Sequence, residues 1–250
     1  LILMLMDHIG EFFPDSPIWF RWLGRLAAPL FFYALAVGFQ HTRNRKKYLL
    51  RLYLANVGMV FFNQIMCMLQ RKLDYVAYQP KNHNIFTTLF CAGVLICIWE
   101  NRKEKKKFFT YIGIYIFWQA MVMGLAILAE AFDYVWRGNA LLQTVLRTNY
   151  IFPLLGGIWD AEGGVFFIVL GVWLYCAVEN KWKLALRYIL FCGAYMFMCQ
   201  GDILYRIMSR FSFWGYHKLA DVIYFGSSFV GIPLGTSDLS LLTEFYQWMM

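Results

Sequence analysis

Charged residues are scarce in this sequence. Only 15% of its 250 residues are Asp, Glu, Lys or Arg, whereas 60% are hydrophobic and 20% are aromatic. Soluble domains carry about 25% charged residues, so most of this protein's surface must face lipid rather than water. There is no basic soluble domain to carry the net charge of +8, which excludes nucleic acid as a partner. The composition predicts a helical membrane protein whose main partner is the lipid bilayer.

Sequence patterns for metals, disulfides and nucleotides are absent as well. The six cysteines lie inside apolar runs, and none has a C-x-x-C or similar metal-ligand spacing. We therefore expect no metal and interpret the cysteines as small core residues. The sequence also contains no nucleotide-binding glycine loop and no G-x-S-x-G nucleophile turn.

Apolar runs between short polar loops predict an all-α, polytopic transmembrane helical bundle. We expect about eight to ten spans, forming a single membrane domain over residues 1–250. The clearest runs cover residues 18–39, 48–69, 85–99, 108–129, 165–178, 188–208 and 220–234. Residues 130–164 are left without a full span, apart from a half-span near Tyr150 to Leu155. Both ends of the sequence lie in apolar runs, so we expect the first and last helices to continue beyond it.

Positive charge is concentrated in three short loops, at residues 41–47, 101–107 and 181–187. The order of the spans keeps these loops on one face, and the positive-inside rule makes that face cytoplasmic. We therefore expect a multi-pass protein of the cell inner or plasma membrane with its basic loops inside. Residues 11–17, 70–84 and 130–147 then fall outside.

The opening run, Leu1 to Met6, meets Asp7 and His8 with no polar transition. An ionisable side chain within hydrocarbon costs about 3 kcal/mol or more, so such residues are rarely idle. The Asp7 carboxylate next to His8 can fix the imidazole tautomer, which makes the pair a candidate catalytic base. The alternative is an interfacial N-terminus with both side chains at headgroup level. Arg25 lies deep in the next span, which favours a buried polar site with Asp7 as one candidate partner.

A second candidate feature is a group of cations around the first basic loop. It comprises Arg43, Arg45, Lys46, Lys47 and Arg51. These residues can be the positive-inside signal alone, or they can bind the phosphates of an anionic ligand. Arg51 lies already within a span, which distinguishes it from the loop residues.

Acidic residues near the other face are weaker candidates. Asp160 and Glu162 lie in a glycine-rich turn and either bind an acceptor or are ordinary loop acids. Asp202 and Arg206 are four residues apart, so we interpret them mainly as an ion pair within one helix.

Several segments resemble the TraX family of membrane proteins. The resemblance rests on Met4–Gly10, Trp22–Phe31, Gly38–Leu52, Asn84–Leu89 and Tyr246–Trp248, and it is most specific in the first fifty residues. TraX acetylates the pilin N-terminus in conjugative plasmid systems. The family is related to membrane acyltransferases that include heparan-α-glucosaminide N-acetyltransferase and the acyltransferase-3 enzymes.

The resemblance implies an acetyltransferase. The donor is cytoplasmic acetyl-CoA, and the acceptor is an amine or hydroxyl of a protein N-terminus or a glycan, in the membrane or beyond it. By similarity to the acyltransferase-3 enzymes, His8 matches their first-helix histidine and Arg43–Arg51 resembles their second basic cluster. The basic cluster and Arg25 then bind the donor, and Asp7 and His8 act on the nucleophile. The oligomeric state stays open, with a homodimer as one alternative.

A transporter or flippase is the alternative from another class. In that interpretation Asp7, His8 and Arg25 form a proton or anion relay. No inverted repeat is evident in the sequence, which argues against it. A membrane chaperone without catalytic activity is a third interpretation.

Overall fold

The computed structural model describes residues 2–12, 16–72, 84–137, 150–159, 161–200 and 203–230. Every regular element in these ranges is a helix, which confirms the predicted all-α class. The helices are α1 (Ile2–Phe12), α2 (Trp19–Arg25), α3 (Ala27–His41), α4 (Arg45–Lys72), α5 (Ile85–Glu100), α6 (Lys105–Arg137), α7 (Phe152–Leu154), α8 (Gly164–Tyr175), α9 (Lys181–Gln200), α10 (Ile203–Phe213) and α11 (His217–Val230). A 3₁₀ turn, Asn101–Lys103, joins α5 to α6.

Four stretches of the described chain are long and apolar enough to cross a membrane. They are Trp22–His41, Arg45–Met66, Ile85–Lys103 and Lys105–Ala129. A fifth span results if α9 and α10, whose axes meet at 40°, are counted as one bent span. The protein is therefore a multi-pass membrane protein. The eight to ten predicted spans also include three short helices, α1, α8 and α11, and the apolar residues beyond 230. The residues beyond 230 lie outside the described ranges.

One compact unit of the chain comprises residues 1–37 and 163–250. Its centre is aromatic: the ring of Phe167 lies 6.1 Å from that of Phe32, 5.3 Å from that of Phe191 and 5.6 Å from that of Tyr195, centroid to centroid. These four side chains are all buried. Such contacts between large rings connect α3, α8 and α9.

The second compact unit comprises residues 38–162. It contains α4, α5, α6 and the short helix α7. The buried side chains of Val122 and Ala126 on α6 pack with Phe152 in α7. The prediction of one membrane domain stays a prediction, because helices of one domain can form two compact units.

Candidate functional site

The Asp7–His8 pair lies on α1, which packs against α2. The two helices approach closely at Gly24, where a Cβ atom would lie 2.6 Å from the Asp7 Cα atom. Only glycine lets the two backbones approach this closely. Gly24 is buried and Asp7 is partly buried, so the Asp7 carboxylate begins at a helix–helix contact.

Arg25 follows Gly24 directly and ends α2. Arg25 is the predicted partner of Asp7, so the backbone of that partner lies one residue from the contact between α1 and α2. The side chains of His8 and Arg25 lie outside the described part of the structure. Their roles remain predictions.

The first basic loop and the second meet at one end of the residue 38–162 unit. The Arg45 Nη2 atom donates to the Glu100 Oε1 atom at 2.9 Å, and this ion pair joins the start of α4 to the end of α5. Arg45 also donates to the Thr42 carbonyl at 3.0 Å and lies over the Phe39 ring. Residues 41–47 and 101–107 consequently lie on the same side of the unit, as predicted from the alternation of spans. We call this the basic end.

The other four cations of the predicted cluster are exposed. They are Arg43, Lys46, Lys47 and Arg51. Lys47 and Arg51 are one helical turn apart on α4, so they share a face. Arg45 therefore differs from the rest of the cluster: it holds two helices together, whereas the other four present their charge to the surroundings.

Residues 150–162, of which all but Asp160 are described, form a mostly non-helical segment that we call the inserted segment. Its helix α7 is only three residues long and ends at Leu154, and the chain then turns at Gly156. Gly156 has φ +65°, and a Cβ atom there would lie 2.7 Å from the Phe90 ring. Phe152, Pro153, Gly156 and Gly157 are buried. The half-span predicted near these residues is replaced by a short turn packed within protein.

Four consecutive carbonyl groups of the inserted segment accept hydrogen bonds from side chains of two different helices, α4 and α6. The donors to Pro153, Leu154, Leu155 and Gly156 are the Asn56 Nδ2 atom at 2.6 Å, the Tyr53 hydroxyl at 2.8 Å, the Trp118 Nε1 atom at 3.0 Å and the Gln119 Nε2 atom at 3.1 Å. Further along, the Thr88 hydroxyl donates to the Glu162 carbonyl at 2.8 Å. Irregular backbone can exist at membrane depth only if its polar groups are satisfied in this way.

A network of buried polar side chains supports these bonds. The Asn56 Oδ1 atom accepts from the Asn84 Nδ2 atom at 2.6 Å and from the Thr87 hydroxyl at 2.7 Å. Asn84 also caps α5, because its Oδ1 atom accepts from the Phe86 amide at 3.2 Å. All three network residues are buried. Each amide and hydroxyl is thus used to fix α4, α5 and the inserted segment.

The position of this network along the helices places it deep in the bundle. Asn56 lies eleven residues beyond Arg45, and Gln119 lies fourteen residues beyond Lys105. At a rise of 1.5 Å per residue these are distances of about 17 and about 21 Å from the basic end. The inserted segment is therefore held near the middle of a hydrocarbon core of about 30 Å.

The sequence reasoning missed this network. Asn56 was visible as a polar residue within an apolar run, and Asn84 as the residue before the next run. A polar side chain in a span must find a partner, since an unsatisfied group in hydrocarbon is costly. The signal was therefore present, but spacing alone does not show that the partners are the carbonyls of residues 153–156.

The remaining predicted residues are placed as follows. Glu162 is partly buried and ends the inserted segment, while Asp160 and Asp202 lie outside the described residues. Arg206 is exposed on α10. Within the described ranges no group of three or more His, Cys, Asp and Glu side chains is arranged to hold a metal ion.

Comparison with known proteins gives one result. The model of a protein family described as "TraX protein" matches residues 1–216, which include α1 to α10 and every described residue of the predicted site. Neither the curated proteins nor the solved structures contain a significant match to the chain.

Proposed function

We propose, from the premise that this chain belongs to the TraX family, that it transfers an acetyl group from acetyl-CoA to an acceptor amine or hydroxyl. The observation that carries the proposal is the family match over residues 1–216, because this range includes Asp7, His8, Arg25 and the whole basic cluster. The acceptor is a protein N-terminus or a glycan. The membrane is the inner or plasma membrane, with the basic end in the cytoplasm.

The donor binds at the basic end. CoA carries several phosphate charges, and Arg43, Lys46, Lys47 and Arg51 offer exposed cations that attract them. Arg45 contributes indirectly, since its ion pair with Glu100 fixes the start of the helix that carries these cations. In this proposal Arg25 binds the polar part of the donor closer to the thioester.

Acetyl transfer needs a base for the acceptor. His8 takes the proton from the acceptor nitrogen or oxygen as that atom attacks the thioester carbonyl carbon. The new C–N or C–O bond forms, the C–S bond breaks, and the proton passes to the CoA thiolate, which leaves as the thiol. Asp7 orients the imidazole and stabilises its protonated form. The close contact at Gly24 supports this role, because it fixes the backbone of Asp7 against α2.

The decisive experiment is turnover of acetyl-CoA by purified His8→Ala protein in the presence of an amine acceptor. We expect turnover to fall by about 10²–10⁴-fold, the usual contribution of a positioned acid–base group. Binding of acetyl-CoA should be unchanged, since the proposed donor contacts lie elsewhere. Near-normal turnover with donor bound would remove His8 from the chemistry.

A matched control is His217→Ala. His217 is exposed at the start of α11, where its Nδ1 atom lies 3.4 Å from the Ser212 hydroxyl. It carries the same ring but has no role in the proposal, so turnover should stay within about twofold of the unchanged protein. Equal losses in both variants would point to a general effect on folding.

A second candidate function is transport, which the bent pair of α9 and α10 favours. Transporters use broken helices around their substrate sites, and the two axes here meet at 40°. Purified protein in liposomes separates the two functions. Acetyl-CoA-dependent release of CoA supports the acetyltransferase, whereas proton-coupled flux without CoA release supports transport.

A further inference from the structure

The helix α10 and the turn that follows it carry exposed arginines next to exposed aromatic side chains. Arg206 and Arg210 are one helical turn apart and share a face. The exposed fractions of Phe213 and Trp214 are 87% and 62%, and Tyr216 is exposed as well. We call these five residues the α10 patch. None of them has a role in the acetyl transfer proposed above.

The turn at the end of α10 has a defined geometry. Gly215 has φ +82°, the Tyr216 amide donates to the Phe211 carbonyl at 2.9 Å, and the Gly215 amide donates to the Ser212 carbonyl at 3.1 Å. This pair of bonds is the Schellman arrangement, which ends a helix at a left-handed glycine. The chain then reverses into α11, which packs against α10. The aromatic side chains of the patch are therefore presented by an ordered turn.

The length of the helices places the patch at a membrane boundary. The part of α9 from Arg187 to its end is about 20 Å long, and α10 from its start to Arg210 adds about 10 Å. With a bend of 40° the two parts together extend about 28 Å along the axis of α9. This is close to the thickness of a hydrocarbon core. If Arg187 lies at one surface, Arg210 therefore lies at the other.

Arg187 is well placed to mark the first surface. Its Nη1 atom donates to the Trp173 carbonyl at 2.6 Å, and its guanidinium lies over the Trp173 ring. Lys181 and Lys183 precede it on the same helix and are exposed. The α10 patch lies at the opposite end of the pair α9–α10, where the positive-inside rule does not account for cations.

Arginine and aromatic side chains together match the chemistry of lipid headgroups. Tryptophan and tyrosine prefer the membrane–water interface, and guanidinium groups bind phosphate with two parallel hydrogen bonds. Lys218 adds a third exposed cation at the start of α11, although Asp221 lies one turn further on and offsets it. Among the described residues, the positive charge of the patch is therefore that of Arg206 and Arg210. Asp202, which the sequence pairs with Arg206, lies outside the described residues.

We infer that the α10 patch binds the headgroups of anionic phospholipids, in the leaflet opposite to residues 181–187. Arg206 and Arg210 bind the phosphates, and Phe213, Trp214 and Tyr216 lie at the boundary between headgroups and acyl chains. The consequence is a local enrichment of anionic over zwitterionic lipid at this turn. This inference is independent of the proposed acetyl transfer.

The test uses the full chain in nanodiscs that contain brominated phosphatidylglycerol or brominated phosphatidylcholine. A fluorescent amino acid replaces Phe213, so that quenching by bromine reports which lipid lies next to the patch. We expect quenching by the anionic lipid to correspond to an enrichment of about three- to fivefold over the zwitterionic lipid at equal mole fraction. In Arg206→Gln/Arg210→Gln protein the two lipids should quench equally, whereas Arg206→Lys/Arg210→Lys protein should keep most of the preference.

The matched control places the same probe at Trp182, whose exposed fraction of 87% equals that of Phe213. Its lipid preference should not change when Arg206 and Arg210 are neutralised, because it lies at the other end of α9. Equal quenching at position 213 by both lipids in the unchanged protein would overturn the inference. So would a preference that survives neutralisation of the two arginines, or a probe that neither lipid quenches.

Discussion

Two regions of this protein hold polar groups among apolar helices, and they do so in different ways. At the inserted segment, neutral amides and hydroxyls such as Asn56 and Thr87 are joined to each other and to backbone carbonyls. At the contact between α1 and α2, an ionisable residue, Asp7, lies against Gly24 at backbone distance. The first region is built from hydrogen bonds and the second from close packing.

The two regions differ in the role that we expect for their polar side chains. At the inserted segment we expect structural support, and at the contact between α1 and α2 we expect a chemical role. A neutral amide that is hydrogen-bonded to its neighbours, such as that of Asn56, does not act as an acid or a base near neutral pH. Asp7, in contrast, carries a carboxyl group next to a histidine, a pairing that acid–base catalysis can use. We therefore expect residues that look alike in an apolar run, such as Asn56 and Asp7, to serve different purposes, and substitutions in the two regions to affect different measurements.

The largest effect on stability should come from Asn56→Leu. This change removes the donor to the Pro153 carbonyl and the acceptor for both Asn84 and Thr87. Each buried polar group left unpaired costs about 1–3 kcal/mol, so we expect the free energy of unfolding to fall by about 3 kcal/mol or more. Unfolding in SDS, together with the thermal midpoint, measures this. Turnover per folded molecule should change little.

Thr110→Val is the control for that loss. Its hydroxyl donates to the Lys106 carbonyl within α6 at an exposed position, so removing it leaves no buried group unpaired. The free energy of unfolding should change by less than about 0.5 kcal/mol. If Asn56→Leu costs no more than this, the network does not hold the inserted segment, and the contrast between the two regions disappears.

Gly24→Ala tests the other region. The added Cβ atom would overlap Asp7, so α1 and α2 must move apart, at a cost of about 1–3 kcal/mol in stability. Because Asp7 and His8 move with α1, turnover should fall by more than this loss of stability explains. Measuring kcat and acetyl-CoA affinity on folded protein separates the two effects. We expect kcat to fall and donor affinity to stay the same.

Gly58→Ala provides the comparison. Gly58 is a helical glycine on α4, and a Cβ atom there meets nothing within 4 Å. Alanine has the higher helix propensity, by about 1 kcal/mol, so stability should be unchanged or slightly raised. A fall in kcat for Gly58→Ala equal to that for Gly24→Ala would show that the α1–α2 contact has no special role.

The smallest effect should come from the exposed charges at the basic end. Neutralising Lys47 and Arg51 to glutamine should weaken acetyl-CoA binding by about three- to tenfold, with stability unchanged, since exposed pairs contribute about 0.2–1 kcal/mol each. The loss should shrink at high salt. Titration calorimetry measures the loss of affinity in this double variant. The control is Lys181→Gln/Lys183→Gln, which removes the same number of positive charges from another loop. Equal losses in both double variants would contradict a donor site at α4.

Much of the helical framework is visible in the sequence. The predicted runs 85–99 and 108–129 correspond to the spans Ile85–Lys103 and Lys105–Ala129, because apolar length between basic loops is what a bilayer selects. The grouping of residues 41–47 with 101–107 also follows from counting spans, and the ion pair between Arg45 and Glu100 places them together.

The inserted segment could not be predicted in the same way. Hydropathy measures which residues avoid water, whereas this segment depends on which donors reach which carbonyls. Arg45 shows the same limit at the basic end. Its charge is identical to that of Arg43, yet the structure pairs it with a glutamate 55 positions away. The helix break at Leu26 and the 40° bend between α9 and α10 were not predicted from the sequence either.

The hydrogen bonds of the inserted segment also bear on how the protein is made. Within the described ranges, the side chains that donate to its carbonyls, from Tyr53 to Gln119, precede it in the chain. During synthesis, α4, α5 and α6 leave the ribosome before residues 150–162 do. These donors are therefore already in the membrane when the segment is made. The segment then needs no later partner to satisfy these carbonyls, and its insertion can complete the assembly of earlier helices rather than wait for later ones.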